Sequence, residues 1–310
     1  MSHARRERWI AFLMVLPSII LIAIFVYGFI AWTTTVSLSK WDGVEPDYTW
    51  AGLENFKQLF TKEGGVSAKR FNIDLWNTLF FTVLFMLACV VFGLLLAILL
   101  DQRVKGEGIF RTIYLFPMAL SFVVTGVVWQ WIFAPGTSTR LRGVNALLHA
   151  VGLDALRWKW FTETNEIWHF HVALIPVIIA AAWQLIGYTM AMYLAGLRGI
   201  PEELREAARV DGASEIGIYR HVVMPLLRPI TFSALIVLGH TSLKIFDLVY
   251  TMTGSGPGFA TDVPGIFMFE TTFQGNHYAQ GATISVIMLL MVALVIIPYL
   301  IYTFRQEVEL

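Results

Sequence analysis

Six stretches of this chain are apolar for long enough to cross a lipid bilayer, and no other feature limits its fold as much. About 20 mostly apolar helical residues are needed to span about 30 Å of hydrocarbon. Residues 9–32, 75–100, 113–133, 172–197, 229–250 and 282–304 each reach that length. Within lipid the backbone must satisfy its own amides and carbonyls, and a stretch of this length does so as a helix. Composition agrees, since 57% of the 310 residues are hydrophobic and only 14% are charged. A soluble domain carries about 25% charged residues, and a disordered chain needs more charge and less apolar surface. The expected fold class is all-α, a polytopic membrane protein of six transmembrane helices forming one domain over residues 1–310.

Charge placement orients the spans. With the N-terminus inside, residues 1–8, 101–112, 198–228 and 305–310 face the cytoplasm and hold 12 Lys and Arg in 57 residues. The outer segments 33–74, 134–171 and 251–281 hold nine in about 110 residues. That bias of more than twofold predicts both termini inside. Arg5, Arg6 and Arg8 look like the start of a signal peptide, but the apolar stretch that follows is too long and no small-x-small site ends it. Trp9, Trp32, Trp76, Trp129, Trp131, Trp168 and Tyr250 fall near span ends, where amphipathic rings settle among lipid headgroups.

Several function classes are disfavoured. Lys plus Arg equals Asp plus Glu, at 22 each, so no basic field points to nucleic acid. Cys89 is the single cysteine, which excludes an intrachain disulfide or a cysteine metal cage. There is no H-E-x-x-H, no G-x-S-x-G and no pair of intramembrane acids at catalytic spacing, so a membrane-embedded enzyme fits poorly, and no catalytic or metal-binding residue is expected. The lack of clustered midplane acids argues against an ion-coupled carrier.

The most structured loop is cytoplasmic. Residues 198–229, RGIPEELREAARVDGASEIGIYRHVVMPLLRP, read as two short helices. Pro201 suits the first helical position, and Glu202 and Glu203 favour the positive end of the helix dipole. Ala207 and Ala208 are strong helix formers, and Gly212 supplies a turn. Ile216, Ile218, Tyr219 and Val222 follow before Pro225 and Pro229 lead into the fifth span. The physics alone fits either a helix approached closely by another protein or an amphipathic helix lying on the bilayer.

The same loop resembles the signature of binding-protein-dependent ATP-binding-cassette permeases: Glu-Ala-Ala, three residues, Gly, nine residues, Ile-x-Leu-Pro. Here it reads Glu206-Ala207-Ala208, Gly212 and Val222-Val223-Met224-Pro225, with Val and Met in the Ile and Leu places. The resemblance extends to the sugar branch, the maltose and glycerol-phosphate type permeases. It rests on Gly52-Leu53-Glu54-Asn55-Phe56, Asn77-Thr78-Leu79, Gly143-Val144-Asn145-Ala146-Leu147-Leu148, Phe246-Asp247-Leu248-Val249-Tyr250 and the stretch TGSGPG at 253–258. The large second-outer-loop insertion of the enterobacterial maltose permease is missing. The set is similar to the first permease of a heterodimer with the type I importer fold, in a bacterial or archaeal cytoplasmic membrane.

That resemblance implies partners: a second permease subunit, an ATPase subunit dimer, an extracytoplasmic sugar-binding protein, a sugar substrate and the surrounding membrane lipid, with no nucleic acid. The loop would be a coupling helix docking into the ATPase through Glu203, Glu206, Ala207, Ala208, Arg209, Asp211 and Gly212. Gly254, Gly256 and Pro257 would touch the binding protein. No cofactor is expected in this chain, which has no G-x-x-x-x-G-K-[ST] loop, so Mg-ATP would belong to the partner ATPase.

A sugar site needs aromatic surface with neutral donors and acceptors. Gln184 and Tyr188 lie one turn apart on the fourth span, about 14–20 Å from its inner end at about 1.5 Å per residue. Matching the family pattern puts Gln184, Leu185 and Tyr188 on the pocket face of that span, and Leu238, Thr241, Ser242 and Ile245 on that of the fifth. Lys244 is taken with them, its alternative being an ion pair with Asp247 three residues on. His240 fits packing better than binding, and Gln184 equally suits a bond to a neighbouring helix. A glucoside or oligosaccharide leads as substrate, with glycerol-phosphate or another small solute as the alternative.

Overall fold

The computed structural model describes residues 3–102, 104–137 and 140–308. Helix α1 (His3–Ile22) runs through a π-helical turn into α2 (Phe29–Ser37). Next come α3 (Glu54–Phe60), the long α4 (Gly65–Asp101), α5 (Glu107–Leu115), α6 (Phe122–Phe133) and α7 (Gly143–Ala150). A small hairpin of β1 (Glu166–Ile167) and β2 (Phe170–His171) pairs Glu166 with His171. Then follow α8 (Ile175–Gly199), α9 (Glu202–Val210), α10 (Glu215–Ile218) and α11 (Met224–Leu226). The chain closes with α12 (Arg228–Leu243), α13 (Asp247–Met252), α14 (Pro264–Phe269) and α15 (Tyr278–Val308).

Among the described residues, four helices are long and apolar enough to cross a membrane, and six spans result if each of two bent pairs counts as one. The four are Trp9–Ser37, Lys62–Asp101, Val172–Gly199 and Tyr278–Ile301, longer than or slightly offset from the sequence bounds. The side chains of Arg5, Arg6 and Arg8, part of the orientation argument, lie outside the described residues.

The third and fifth spans, expected to be continuous, are both broken, and the second bent pair, Glu215–Leu226 with Arg228–Leu243 at 63°, lies where the inner loop enters the fifth. The third, 113–133, breaks by 100° between Glu107–Ala119 and Phe122–Phe133. Pro117 lacks an amide donor, Leu120 and Ser121 turn extended, and the Ser121 hydroxyl accepts from the Val124 amide at 3.2 Å to start a fresh helix. The fifth, 229–250, stops at Leu243 and restarts at Asp247. Its two charged residues therefore sit at helix ends, Lys244 at a C-terminus and Asp247 in a first turn, where the backbone dipole favours each sign. No ion pair joins Lys244 to Asp247 among the described residues.

The chain divides into two compact units, residues 1–69 with 267–289, and residues 70–266 with 290–310. In the first, the Asn55 amide donates to the carbonyls of Ser37 and Ser39 at 2.9 and 2.8 Å, closing the end of α2. Trp41 stacks near Tyr278 with ring centres 5.0 Å apart. Most of α1 is exposed and apolar all round, a surface suited to lipid or to another membrane helix.

In the second unit α8 is the central post. Its Leu174-side half packs Val177, Ala180 and Ala181 against Phe81, Phe85 and Cys89 of α4 and Leu248, Val249 and Met252 of α13. Its inner half packs Met190, Tyr193, Leu194 and Leu197 with Ala97, Leu100, Ile218, Val223 and Leu227. Small residues permit close approach, as is usual for helices packing in lipid. A Cβ on Gly126 of α6 would lie 2.0 Å from the Thr251 hydroxyl of α13, so the outer halves of the two broken spans touch backbone to side chain.

Candidate functional site

On the cytoplasmic side, α9 and α10 form the expected pair of helices. Pro201 stands one place earlier than expected, at the N-cap with an extended ψ of 134°, leaving Glu202 and Glu203 in the first turn. Gly212 joins the helices with φ +82°, a left-handed conformation that side-chain-bearing residues resist. The Ser214 hydroxyl then caps α10 by accepting from the Gly217 amide at 3.2 Å. Arg209 reaches across the turn to Glu202 at 3.3 Å and Glu215 at 2.9 Å. Glu215 and Glu202 hold the Arg209 guanidinium still more firmly protonated, and Arg209 in turn lowers the pKa of Glu215.

Glu203, Glu206, Ala207, Arg209, Asp211 and Gly212 are all exposed, whereas Ala208 is half-buried against the inner core. Two apolar side chains stand out among these polar neighbours, Val210 at 87% and Ile216 at 81% exposed. They were missing from the expected docking residues. Two places apart on a helix, Ile216 and Ile218 point about 200° apart, and Ile218 is fully buried while Ile216 faces out. Two such exposed apolar side chains on one short polar loop suit a surface kept for a partner.

Within the second unit, the expected pocket residues divide. Gln184 is buried and donates from Nε2 to the Leu120 carbonyl at 2.8 Å, at the break of the third span. This satisfies a carbonyl freed by the helix break, and non-helical backbone at membrane depth survives only with such partners. Leu238, Ser242 and Ile245 are buried too, Ser242 bonding to the Gly239 carbonyl at 2.8 Å. Leu185, Tyr188 and Thr241 keep part of their surface open, and Lys244 is exposed. A Cβ on Gly187 would lie 1.8 Å from the Tyr114 carbonyl oxygen, so α8 and the end of α5 meet backbone to backbone beside Gln184. Broken helices beside a continuous one recur at transporter substrate sites.

The outer stretch 253–263 is fastened rather than free. Gly256 takes φ +70°, and a Cβ there would lie 2.3 Å from the Thr261 hydroxyl. Thr261 donates to the Gly254 carbonyl at 3.2 Å. The Asn77 amide of α4 donates to the carbonyls of Phe259 and Asp262 at 3.1 and 2.9 Å, and its oxygen meets His171 Nδ1 at 2.9 Å. Arg70 pairs with the buried Asp262 at 2.5 Å and lies 4.7 Å from the centre of the Phe259 ring. Gly254 and Gly256 are half-buried and Pro257 is exposed at the tip. Burial lowers the His171 pKa, with the nearby Glu166 carboxylate opposing. Spacing alone could not reveal this clasp, because Arg70 and Asp262 are 192 residues apart.

These features define a multi-span helical permease, and the fold bears that out. A chain of a bacterial ABC transporter involved in importing the acidic polysaccharide alginate superposes with TM-score 0.77 at 22% identity, over 97% of this chain and 96% of that one. The fold is that of a type I ABC importer permease.

Residues 89–307 match the model of the binding-protein-dependent transport system inner membrane component family, and the chain belongs to that family. A probable ABC transporter permease of Pyrococcus horikoshii is 41% identical over 95% of this chain and 96% of its own. A xylose/arabinose import permease of Haloferax volcanii is 35% identical over 93% of this chain and 86% of its own. The protein is thus a multi-pass component of the inner membrane, as its apolar helices require.

Proposed function

We propose that this permease forms half of the translocation pathway of an ATP-driven carbohydrate importer and is coupled to its ATPase through residues 198–228. The observation that carries this reading is the exposed α9–α10 pair. Val210 and Ile216 offer apolar contacts, Ala207 permits close approach, and Arg209 braces the two helices into one body. A partner groove that closes on this pair moves it as a unit, and the attached spans follow. The second permease completes a pathway of which this chain supplies one wall. Mg-ATP is held by the ATPase alone.

The sugar class is supported by the likeness to a xylose/arabinose import permease and by the part-open, uncharged side chains of Leu185, Tyr188 and Thr241. Glucosides and oligosaccharides lead, with small solutes such as glycerol-phosphate as the alternative. Gly254, Gly256 and Pro257 present a held turn to the sugar-binding protein. Reconstitution with a second permease, the ATPase and the binding protein tests the whole. Uptake requires all four, Gly212→Val and Glu206→Lys uncouple hydrolysis from transport, and Tyr188→Ala lowers flux without loss of assembly. Uptake by the purified chain alone under an ion gradient would overturn the proposal.

A further inference from the structure

The inner ends of three spans are linked beneath the coupling loop by two ion pairs and one hydrogen bond to a backbone carbonyl, none of which belongs to the sequence motifs. Arg205, on α9, turns away from the exposed docking face and into the protein. Its Nη1 donates to Asp101 Oδ2, at the last residue of α4, at 3.0 Å. Its Nη2 donates to the Leu197 carbonyl, in the last turn of α8, at 3.1 Å. The two side chains are only 13% and 10% exposed. A second pair, Arg198 to Glu107 at 2.7 Å, joins the end of α8 to the start of α5. These residues line a polar cavity of 730 Å³ beneath the loop.

The chemistry is specific to a guanidinium. Its donors are fixed in one plane and reach two acceptors in different directions, whereas a lysine ammonium on a flexible stem acts as a single point. The Leu197 carbonyl is one of the last of its helix and lacks an intrahelical donor of the ordinary kind. A nearly buried charge pair resists separation, because pulling out one partner strands the other in a poorly solvated place. Elsewhere α9 touches the inner core through the half-buried Ala208, a contact too small to grip in any direction but inward.

We infer that Arg205 is the positioning residue that ties the coupling helix to α4 and α8, so that a displacement of α9 is transmitted to both spans, with the Arg198–Glu107 pair passing it on to α5. This rests on the coupling role proposed above for α9.

The test uses the complete importer in proteoliposomes, with Arg205→Ala, Arg205→Lys and Asp101→Asn. Four quantities are read: ATPase co-purification, ATP hydrolysis, uptake from a radiolabelled panel of xylose, arabinose, maltose and trehalose, and the distance between nitroxides at Lys105→Cys and Ala213→Cys. In the wild-type complex the nitroxides keep one narrow distance distribution with and without Mg-ATP and vanadate. In Arg205→Ala the ATPase still co-purifies and hydrolyses ATP, sugar moved per ATP falls by about tenfold or more, and the distribution broadens, as expected when a buried pair is broken. Arg205→Lys recovers part of the coupling, and Asp101→Asn reproduces the loss. Unchanged sugar per ATP in Arg205→Ala overturns the inference. So does loss of ATPase co-purification in that variant, which would make Arg205 part of the docking surface. If Arg205→Ala fails to accumulate in the membrane, normal coupling in the isosteric Asp101→Asn overturns it instead. Failure of the underlying reading looks different, since the ATPase would then not crosslink to Ala207→Cys even in the wild-type background.

Discussion

Replacing Gly187 by alanine should destabilise the protein even though alanine is the better helix former. Gly187 is buried in the middle of α8 with ordinary helical backbone, so propensity alone predicts a gain of about 1 kcal/mol. The added Cβ, however, meets the Tyr114 carbonyl oxygen at 1.8 Å and its carbon at 2.5 Å, both backbone atoms that cannot swing aside. Restoring ordinary contact at 3.4 Å would open α5 from α8 by about 1.6 Å. Overpacking of this kind costs about 1–3 kcal/mol. The same opening pulls Leu120 away from Gln184, whose bond is 2.8 Å long, and leaves a buried amide without its acceptor. That adds about 1–3 kcal/mol, for a net loss of about 1–5 kcal/mol after the propensity gain. Unfolding in mixed detergent and dodecyl sulfate measures the change. Gly108→Ala in α5, where a Cβ meets nothing within 4 Å, is the control and should be neutral or slightly stabilising. If Gly187→Ala matches that control, the close approach of α8 to the broken third span is wrong.

Three further outcomes are expected. Asn77→Ala removes the donor shared by the Phe259 and Asp262 carbonyls, and backbone amides at 259–263 should exchange with deuterium at least about tenfold faster, while unchanged exchange would mean that Arg70 and Asp262 hold the loop alone. Because burial lowers the His171 pKa from 6.5, the folded clasp binds fewer protons than the open one. Its protection should therefore be greatest above pH 6.5 and diminish as the pH falls below that value, and His171→Gln should flatten the profile measured by exchange corrected for intrinsic rates. Ile216→Asp places a charge on the exposed apolar pair and should lower ATPase co-purification about tenfold without altering the amount of permease in the membrane. Normal co-purification would remove Ile216 from the docking surface.

Much of the architecture could be read directly from residue order. Span number follows from the length of apolar runs, because lipid imposes one requirement on every residue that crosses it. The α9–Gly212–α10 turn was also legible, since helix starts, caps and left-handed glycines depend on neighbours in the chain. The site residues were less so. Gln184 and Tyr188 are one turn apart on α8, yet one is buried against the Leu120 carbonyl and the other half-open, a difference set by what packs opposite. Ile216 and Ile218 lie on opposite faces of their helix, as the period requires, but only the packing decides which of the two faces is buried.

The chain's order of apolar and polar residues thus determined a multi-span helical permease with a structured inner loop. Tertiary structure alone decided where the third and fifth spans break, which loop side chains face outward, and which distant charges meet, such as Arg205 with Asp101 and Arg70 with Asp262. The physical reason is range: hydrophobic length and helix capping act within a few residues, whereas breaks and buried ion pairs are stable only when a partner from elsewhere in the chain supplies the missing acceptor, donor or charge.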